Sequence, residues 1–166
     1  MVDLQVTYME MTQSPAGPEV ARPVAGARVV RERPAREDYL SLYRAVGEAV
    51  QWDQRLRMAP EALDSFLCSA TTCHYVLRLH GRRVGLCEFD GIDPSDVELC
   101  NFGLVPDAQG QKLGPYLLDQ ALRSLWSNRP RRVWLHTDTN DHPKAQVTYR
   151  RAGFRIYAER VETFPD

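Results

Sequence analysis

Between Val97 and Leu125 the chain passes from an apolar strand, through a loop carrying Gly110 and Gly114, straight into its strongest amphipathic helix. The strand is closed by Pro106. Leu113, Leu117, Leu118, Ala121, Leu122 and Leu125 then recur at helical spacing on one face. A helix that starts directly after a tight loop presents first-turn N–H groups with no partner inside the helix, and such groups bind anions with little need of net charge. Gly110 and Gly114 let the backbone approach a phosphate closely, and Pro115 suits a first turn, where the N–H it lacks has no helical acceptor. Taken alone, the segment also fits an ordinary strand-to-helix turn.

The rest of the chain supplies the frame. Gln5 to Met11 alternates polar and apolar residues and predicts a strand. Residues 13–26, with Pro15, Gly17, Pro18, Pro23 and Gly26, predict a flexible loop, and Ala27 to Arg33 a second strand that forms an N-terminal hairpin with the first across that long connection. Pro34 opens a helix with Tyr39, Leu42, Tyr43 and Val46 on one face. Pro60 opens another with Leu63, Phe66 and Leu67. Cys73–His80 and Val84–Ile92 read as strands joined by a turn at His80-Gly81-Arg82-Arg83. Val133 to Thr137 reads as a short strand covered on both faces. A last helix carries Ala145, Tyr149 and Ala152 with Gly153 past its end, and Phe154 to Val161 is the closing strand. The predicted order is β-β-α-α-β-β-β-α-β-α-β. This is an α/β (α+β) chain with helices packed on a mixed sheet, read as one domain: residues 1–26 an N-terminal strand and loop, residues 27–166 the core.

With 43% hydrophobic and 26% charged residues and a formal net charge of −1, nothing in the composition asks for nucleic acid or a membrane surface. Residues 1–8 lack a basic segment followed by an apolar one, and no apolar stretch approaches the ~20 residues of a spanning helix. Cys68, Cys73, Cys87 and Cys100 form no C-x-x-C pair and predict neither metal binding nor disulfides. The expectation is a cytoplasmic protein without a metal.

Residues 102–115 resemble the acetyl-CoA-binding loop of the GNAT superfamily, written Q/R-x-x-G-x-G/A after a short apolar strand. Gln109, Lys112 and Gly114 fall on its three defined positions and Gly110 on a frequent extra glycine; Lys112 departs from the usual Gly. Ala145-x-x-x-Tyr149-Arg150-Arg151-Ala152-Gly153-Phe154 is similar to the family's second signature, an alanine and a tyrosine on a helix ending in Gly-Phe. Within the superfamily the chain is most similar to small bacterial members with an added N-terminal strand and an Asp-His-Pro (Asp141-His142-Pro143) before the last helix. The resemblance implies a mostly antiparallel GNAT-type sheet whose strands splay to hold acetyl-CoA. It implies N-acetyl transfer from acetyl-CoA to a primary amine of a small molecule or peptide, with a non-catalytic acyl-CoA sensor of the same fold as the alternative. Both monomer and homodimer stay open. A nucleotide kinase fits poorly, because residues 109–114 lack the G-x-x-x-x-G-K-[ST] spacing and its hydroxyl.

Acetyl transfer needs a neutral amine, a stabilised oxyanion and a proton for the leaving thiolate. An ordinary lysine-like amine is neutral in roughly one molecule in 10³ at pH 7, so a base helps. Glu98 is the first candidate base, with strand alternation putting it on one face with Cys100, Phe102 and Leu104. Glu88 is the rival, followed by Asp90 and His136. Tyr149 is the candidate acid, or a core tyrosine. The resemblance implies that backbone N–H groups around Phe102, Gly103 and Leu104 meet the thioester and pantetheine, and that those of Gly110, Gln111, Lys112, Leu113 and Gly114 meet the pyrophosphate. It also puts Asn140 and His142 near a cofactor contact. Trp52 and Arg55, in the link between the first two helices, are candidates for the acceptor side.

Overall fold

The computed structural model describes residues 1–165. Seven strands and four α-helices alternate in the order expected: β1 Val2–Met11, β2 Ala27–Glu32, α1 Arg36–Gly47, α2 Pro60–Cys68, β3 Thr72–Leu79, β4 Arg82–Asp93, β5 Asp96–Leu104, α3 Leu113–Trp126, β6 Arg132–Asp138, α4 Ala145–Ala152 and β7 Arg155–Phe164. The α1 helix starts after Pro34-Ala35 with Glu37 and Asp38 in its first turn, where carboxylates suit the helix dipole, and buries Tyr39, Leu42, Tyr43 and Val46. The α3 helix buries the leucine stripe read from its sequence, with Leu113, Leu117, Leu118 and Leu122 fully enclosed.

The strands form one sheet in the order β2-β3-β4-β5-β6-β1-β7, antiparallel except for β5 against β6. Alternating residues show what lies on each face. His74 meets Tyr39 of α1, whereas Tyr75 donates its hydroxyl to Ser124 of α3. A Cβ on Gly103 would stand 2.6 Å from Val46 of α1, so the helix approaches the strand as closely as it does only because residue 103 is glycine. Thus α1 and α3 sandwich the sheet.

The N-terminal hairpin is not formed. β2 is an edge strand paired with β3, whereas β1 lies at the other end of the sheet, antiparallel to both β6 and β7. Met9 and Met11 of β1 belong to the core, so this strand is an interior member of the sheet. The alternating pattern of residues 5–11 is satisfied equally at an edge or in the middle, and local sequence does not choose. The proline- and glycine-bearing connection is pinned over α3. Val20 donates its N–H to Asp119 at 3.0 Å, and Arg123 donates to the carbonyls of Gly17 and Pro18 at 3.0 and 3.1 Å.

The β6 strand is not covered on both faces. Val133, Leu135 and Thr137 are buried, but Trp134 is only half-buried and His136 is exposed. Among the described residues no helix is long and apolar enough to cross a membrane.

Because β1 is interior, removing side-chain volume from it opens a cavity. Met9→Ala is expected to cost about 2–5 kcal/mol in urea unfolding. A strand that merely decorated the edge would lose within about 0.5 kcal/mol.

Candidate functional site

The β5 and β6 strands pair only through Asp96 with Arg132, Val97 with Val133 and Glu98 with Trp134. Beyond Glu98 the two part, while β5 continues to pair with β4 as far as Leu104 opposite Gly85. The edge of β5 facing β6 is therefore without a strand partner from Leu99 onward, and its N–H and C=O groups are available to an extended ligand.

Where the strands part, β5 carries a bulge. Glu88 is opposite Asn101 and Phe89 opposite Leu99, so Cys100 is the extra residue. The bulge overturns the expected alternation. Glu98 and Asn101 share the α1 face, with Asn101 donating to Glu88 at 2.7 Å. Phe102 and Leu104 turn to the α3–α4 face, where a Cβ on Gly114 would meet them at 3.8 and 3.9 Å.

Glu88 is fully buried and is the hub of a polar cluster. It accepts hydrogen bonds from the Tyr39 hydroxyl, from Asn101 and from Arg55 at 3.1 Å. His74 Nε2 lies 3.3 Å from the same carboxylate, without hydrogen-bond alignment. Burial alone would push the Glu88 carboxyl up. The His74 imidazole, the Arg55 guanidinium and the Tyr39 hydroxyl outweigh it and hold Glu88 below the usual carboxylate range. A carboxylate so engaged locks α1, the α1–α2 link and the bulge together. It is poorly suited to take up a proton.

Arg55 and Trp52 lie beside this hub. The Arg55 side chain is 11% exposed, its guanidinium 4.1 Å from the Phe66 ring centre while it pairs with Glu88. Trp52 is half-buried against Tyr43 and Gly47, with its ring end close to Gly103. Both therefore form the inner wall next to β5.

Glu98 occupies the last parallel pair, at the floor of the splay. Its side chain is 30% exposed and lies 3.7 Å from His136 Nε2. Burial pushes its carboxyl up; His136 opposes this and Asp90 adds to it, and the result is above the ordinary range. On the opposite face Tyr149 of α4 packs between Phe102 and Phe154, ring centres 5.7 and 5.9 Å away. Its hydroxyl has no hydrogen-bond partner among the described residues. Burial, with Asp141 and Cys87 nearby, pushes the phenol well up, so it stays protonated and a donor.

At the start of α3 the N–H groups of Gly110, Gln111, Lys112, Leu113 and Gly114 donate to nothing among the described residues. Gly110 and Lys112 both have left-handed backbones, φ 81° and 61°. Lys112 thus adopts the turn a glycine takes at no cost, at a penalty of about 1 kcal/mol. The Gln109 side chain donates to the Leu104 carbonyl at 3.4 Å, tying the loop to the strand end. His142 accepts the Lys144 N–H at 3.1 Å and caps the approach to α4, while Asn140 sits in the turn after β6. The structure thus brings Glu98, Phe102, Tyr149 and the α3 amides around one splay, and puts Glu88, Arg55 and Trp52 behind one wall of it. Sequence reading gave Asn101, Tyr39 and His74 no part in the site; each acts through Glu88, distant in the chain, which no local pattern reports.

Residues 36–154 match the family model described as Acetyltransferase (GNAT) family. The chain belongs to this family. No curated protein matches it. Among solved structures, a GCN5-related N-acetyltransferase from Sphaerobacter thermophilus superposes with a TM-score of 0.70 at 21% identity, covering 95% of this chain and 50% of that one. An aminoglycoside acetyltransferase from an uncultured soil metagenomic sample gives 0.67 at 16% identity, covering 85% and 95%. A GNAT family acetyltransferase from Streptococcus pneumoniae gives 0.57 at 26% identity, covering 78% and 87%. The chain spans about half the length of the Sphaerobacter protein.

Arg55→Ala leaves a buried carboxylate without its guanidinium, and a loss of about 3–5 kcal/mol is expected. The folded Glu88 carboxyl titrates below its unfolded value, so its stabilisation is complete above the unfolded value, about 4.3, and disappears as pH falls through the lower folded one. Urea midpoints followed from neutrality to about pH 3 should show a steeper acid loss in the parent than in Glu88→Gln.

Proposed function

We propose that this chain transfers an acetyl group from acetyl-CoA to a primary amine by direct attack, the amine arriving on the α1 face while the acyl donor lies in the splay. The observation that carries this reading is the run of five unpartnered N–H groups at the start of α3. It opens onto the free edge of β5, with Glu98 and Tyr149 on the two sides of that edge. When bound, acetyl-CoA supplies an activated thioester acyl group.

The amides of residues 110–114 are suited to the pyrophosphate, joined by the positive end of the α3 dipole and by Lys112. The unpaired edge around Phe102, Gly103 and Leu104 offers donors to the pantetheine amides and to charge that develops on the acyl oxygen. Glu98 takes the proton of the incoming ammonium, directly or through a water. Its raised pKa brings it nearer the amine's than an exposed carboxylate would be. Tyr149 keeps its proton and offers it as a hydrogen bond to the sulfur as the thiolate leaves. Glu88 holds Asn101, and through it the bulge that sets Glu98 and Phe102 on opposite faces. Asn140 and His142 flank the α4 end of the same cleft. The protein works without a metal, in the cytoplasm.

Calorimetry on metal-free protein should detect coenzyme A; no heat and no thermal shift at about millimolar ligand overturns the reading. A side chain at Gly114 meets only ordinary contacts, so Gly114→Asp should fold yet bind far more weakly through charge repulsion. Tyr149→Phe should lower kcat about 10²-fold, near 2.7 kcal/mol, with cofactor affinity kept. Glu98→Gln should be slow at neutral pH and recover at high pH, where the amine is already neutral. An unmoved pH–rate profile removes Glu98 from the role of base. Binding without turnover of any amine points instead to the sensor alternative.

A further inference from the structure

The exposed half of the α1 face carries an unusual row of side chains that the proposed chemistry does not use. Trp134 stands opposite Glu98 in the last parallel pair, and His136 follows two residues later on the same face of β6. Tyr8 of β1 is opposite His136, and Tyr157 of β7 lies beyond it. Successive ring centres are 6.5, 5.9 and 6.0 Å apart. The row therefore runs without a break from Glu98 across three strands. None of these rings belongs to the core, and Tyr157 is 43% exposed. Contiguous aromatic surface left in water beside a reactive group marks a ligand-binding platform.

The charges around the row are polarised. Glu98 and Asp90 stand at the splay end. Arg132 reaches Trp134 and Tyr157 at 5.8 and 5.7 Å from their ring centres, while its charge is met by Glu10 and Asp96 at 3.0 Å each. Arg160 lies 5.2 Å from the Tyr8 ring centre, and the Tyr8 hydroxyl donates to Glu162. Carboxylates thus await a cation at one end only. Farther out, Glu10, Asp96 and Glu162 are already engaged by Arg132 and by the Tyr8 hydroxyl, so the rings there offer a surface for a flat uncharged body and no free anion for a second ammonium.

We propose that this row is the acceptor platform and that it selects monocationic arylalkylamines, with the ammonium at Glu98 and the aromatic body over Trp134 and His136. The proposal rests on the acetyltransferase reading above and names its substrate class. Acceptor and donor then approach from opposite faces of the sheet and meet only at the gap beyond Glu98, where β5 and β6 have parted.

The test is release of free thiol from acetyl-CoA with phenethylamine, butylamine and spermidine, in the parent, Trp134→Ala and Tyr157→Ser. Phenethylamine should have the highest kcat/KM and spermidine the lowest. Trp134→Ala should raise the phenethylamine KM about tenfold, the scale of one ring contact, and the butylamine KM by less, so that the preference for the aryl amine shrinks. Tyr157 is exposed, so Tyr157→Ser folds and should show a smaller rise in the same direction; unchanged calorimetric coenzyme A binding verifies that both variants are intact. Thiol release with butylamine or spermidine preferred by the parent, or a phenethylamine-to-butylamine ratio of kcat/KM unchanged in both variants, overturns the platform while leaving the acetyltransferase reading standing. A parent that elutes as a dimer, and as a monomer after Tyr157→Ser, also overturns it, because a second copy then covers the row. Failure to bind coenzyme A at all sinks both.

Discussion

Two parallel strands that share only three residue pairs make a weak seam, and the site depends on that weakness. Parallel ladders gain stability by length, yet β5 and β6 separate as soon as Glu98 has met Trp134. The separation is braced from behind. Asn101, Arg55, Tyr39 and His74 converge on the buried Glu88 carboxylate, fixing the bulge at Cys100 and with it the direction in which β5 departs. A charge in the interior is costly unless neighbours satisfy it, and the same neighbours resist displacement for the same reason. Stability behind the strand therefore underwrites an unpaired edge in front of it.

Around that seam the two faces differ in kind. On the α3–α4 side, Phe102, Tyr149 and Phe154 pack closely and the loop amides point outward unpaired. On the other side, Glu98 sits at the border between helix-covered and open sheet. A group arriving on that side meets carboxylates and rings. One arriving along the helix start meets backbone donors. The two approaches thus suit opposite charges, anions at the helix start and cations beside Glu98.

Much of this frame was legible in the residues. The element order came from periodicity, because the helices carry apolar stripes and the strands apolar runs or alternation bounded by turn residues. The loop at 109–114 stood out because a strand, glycines and a helix follow one another without a gap. Other features were hidden. Nothing local marks Leu99-Cys100-Asn101 as a bulge, since no glycine or proline is present, and a period-two reading carried across it assigned Phe102 and Leu104 to the wrong face. Val133-Trp134-Leu135-His136-Thr137 reads as a short apolar strand covered on both faces, although its alternate members have opposite surroundings. The Glu88 cluster draws on α1, the α1–α2 link, β3 and β5, so only the tertiary fold brings its members together.

The position of β1 also governs the order in which the sheet can be completed. Its partners are β6 and β7, so Val2 pairs with Phe164 and Val6 with both Asp138 and Arg160. During synthesis β1 lacks both of its partners until β6 and β7 have emerged, and β2 to β5 can assemble meanwhile. Pairings so remote in sequence carry a high closure entropy and slow the final step of folding. The strap across α3, held by Asp119 and Arg123, shortens that search: once α3 is in place it anchors the tether of β1 on the face beneath which the strand must insert.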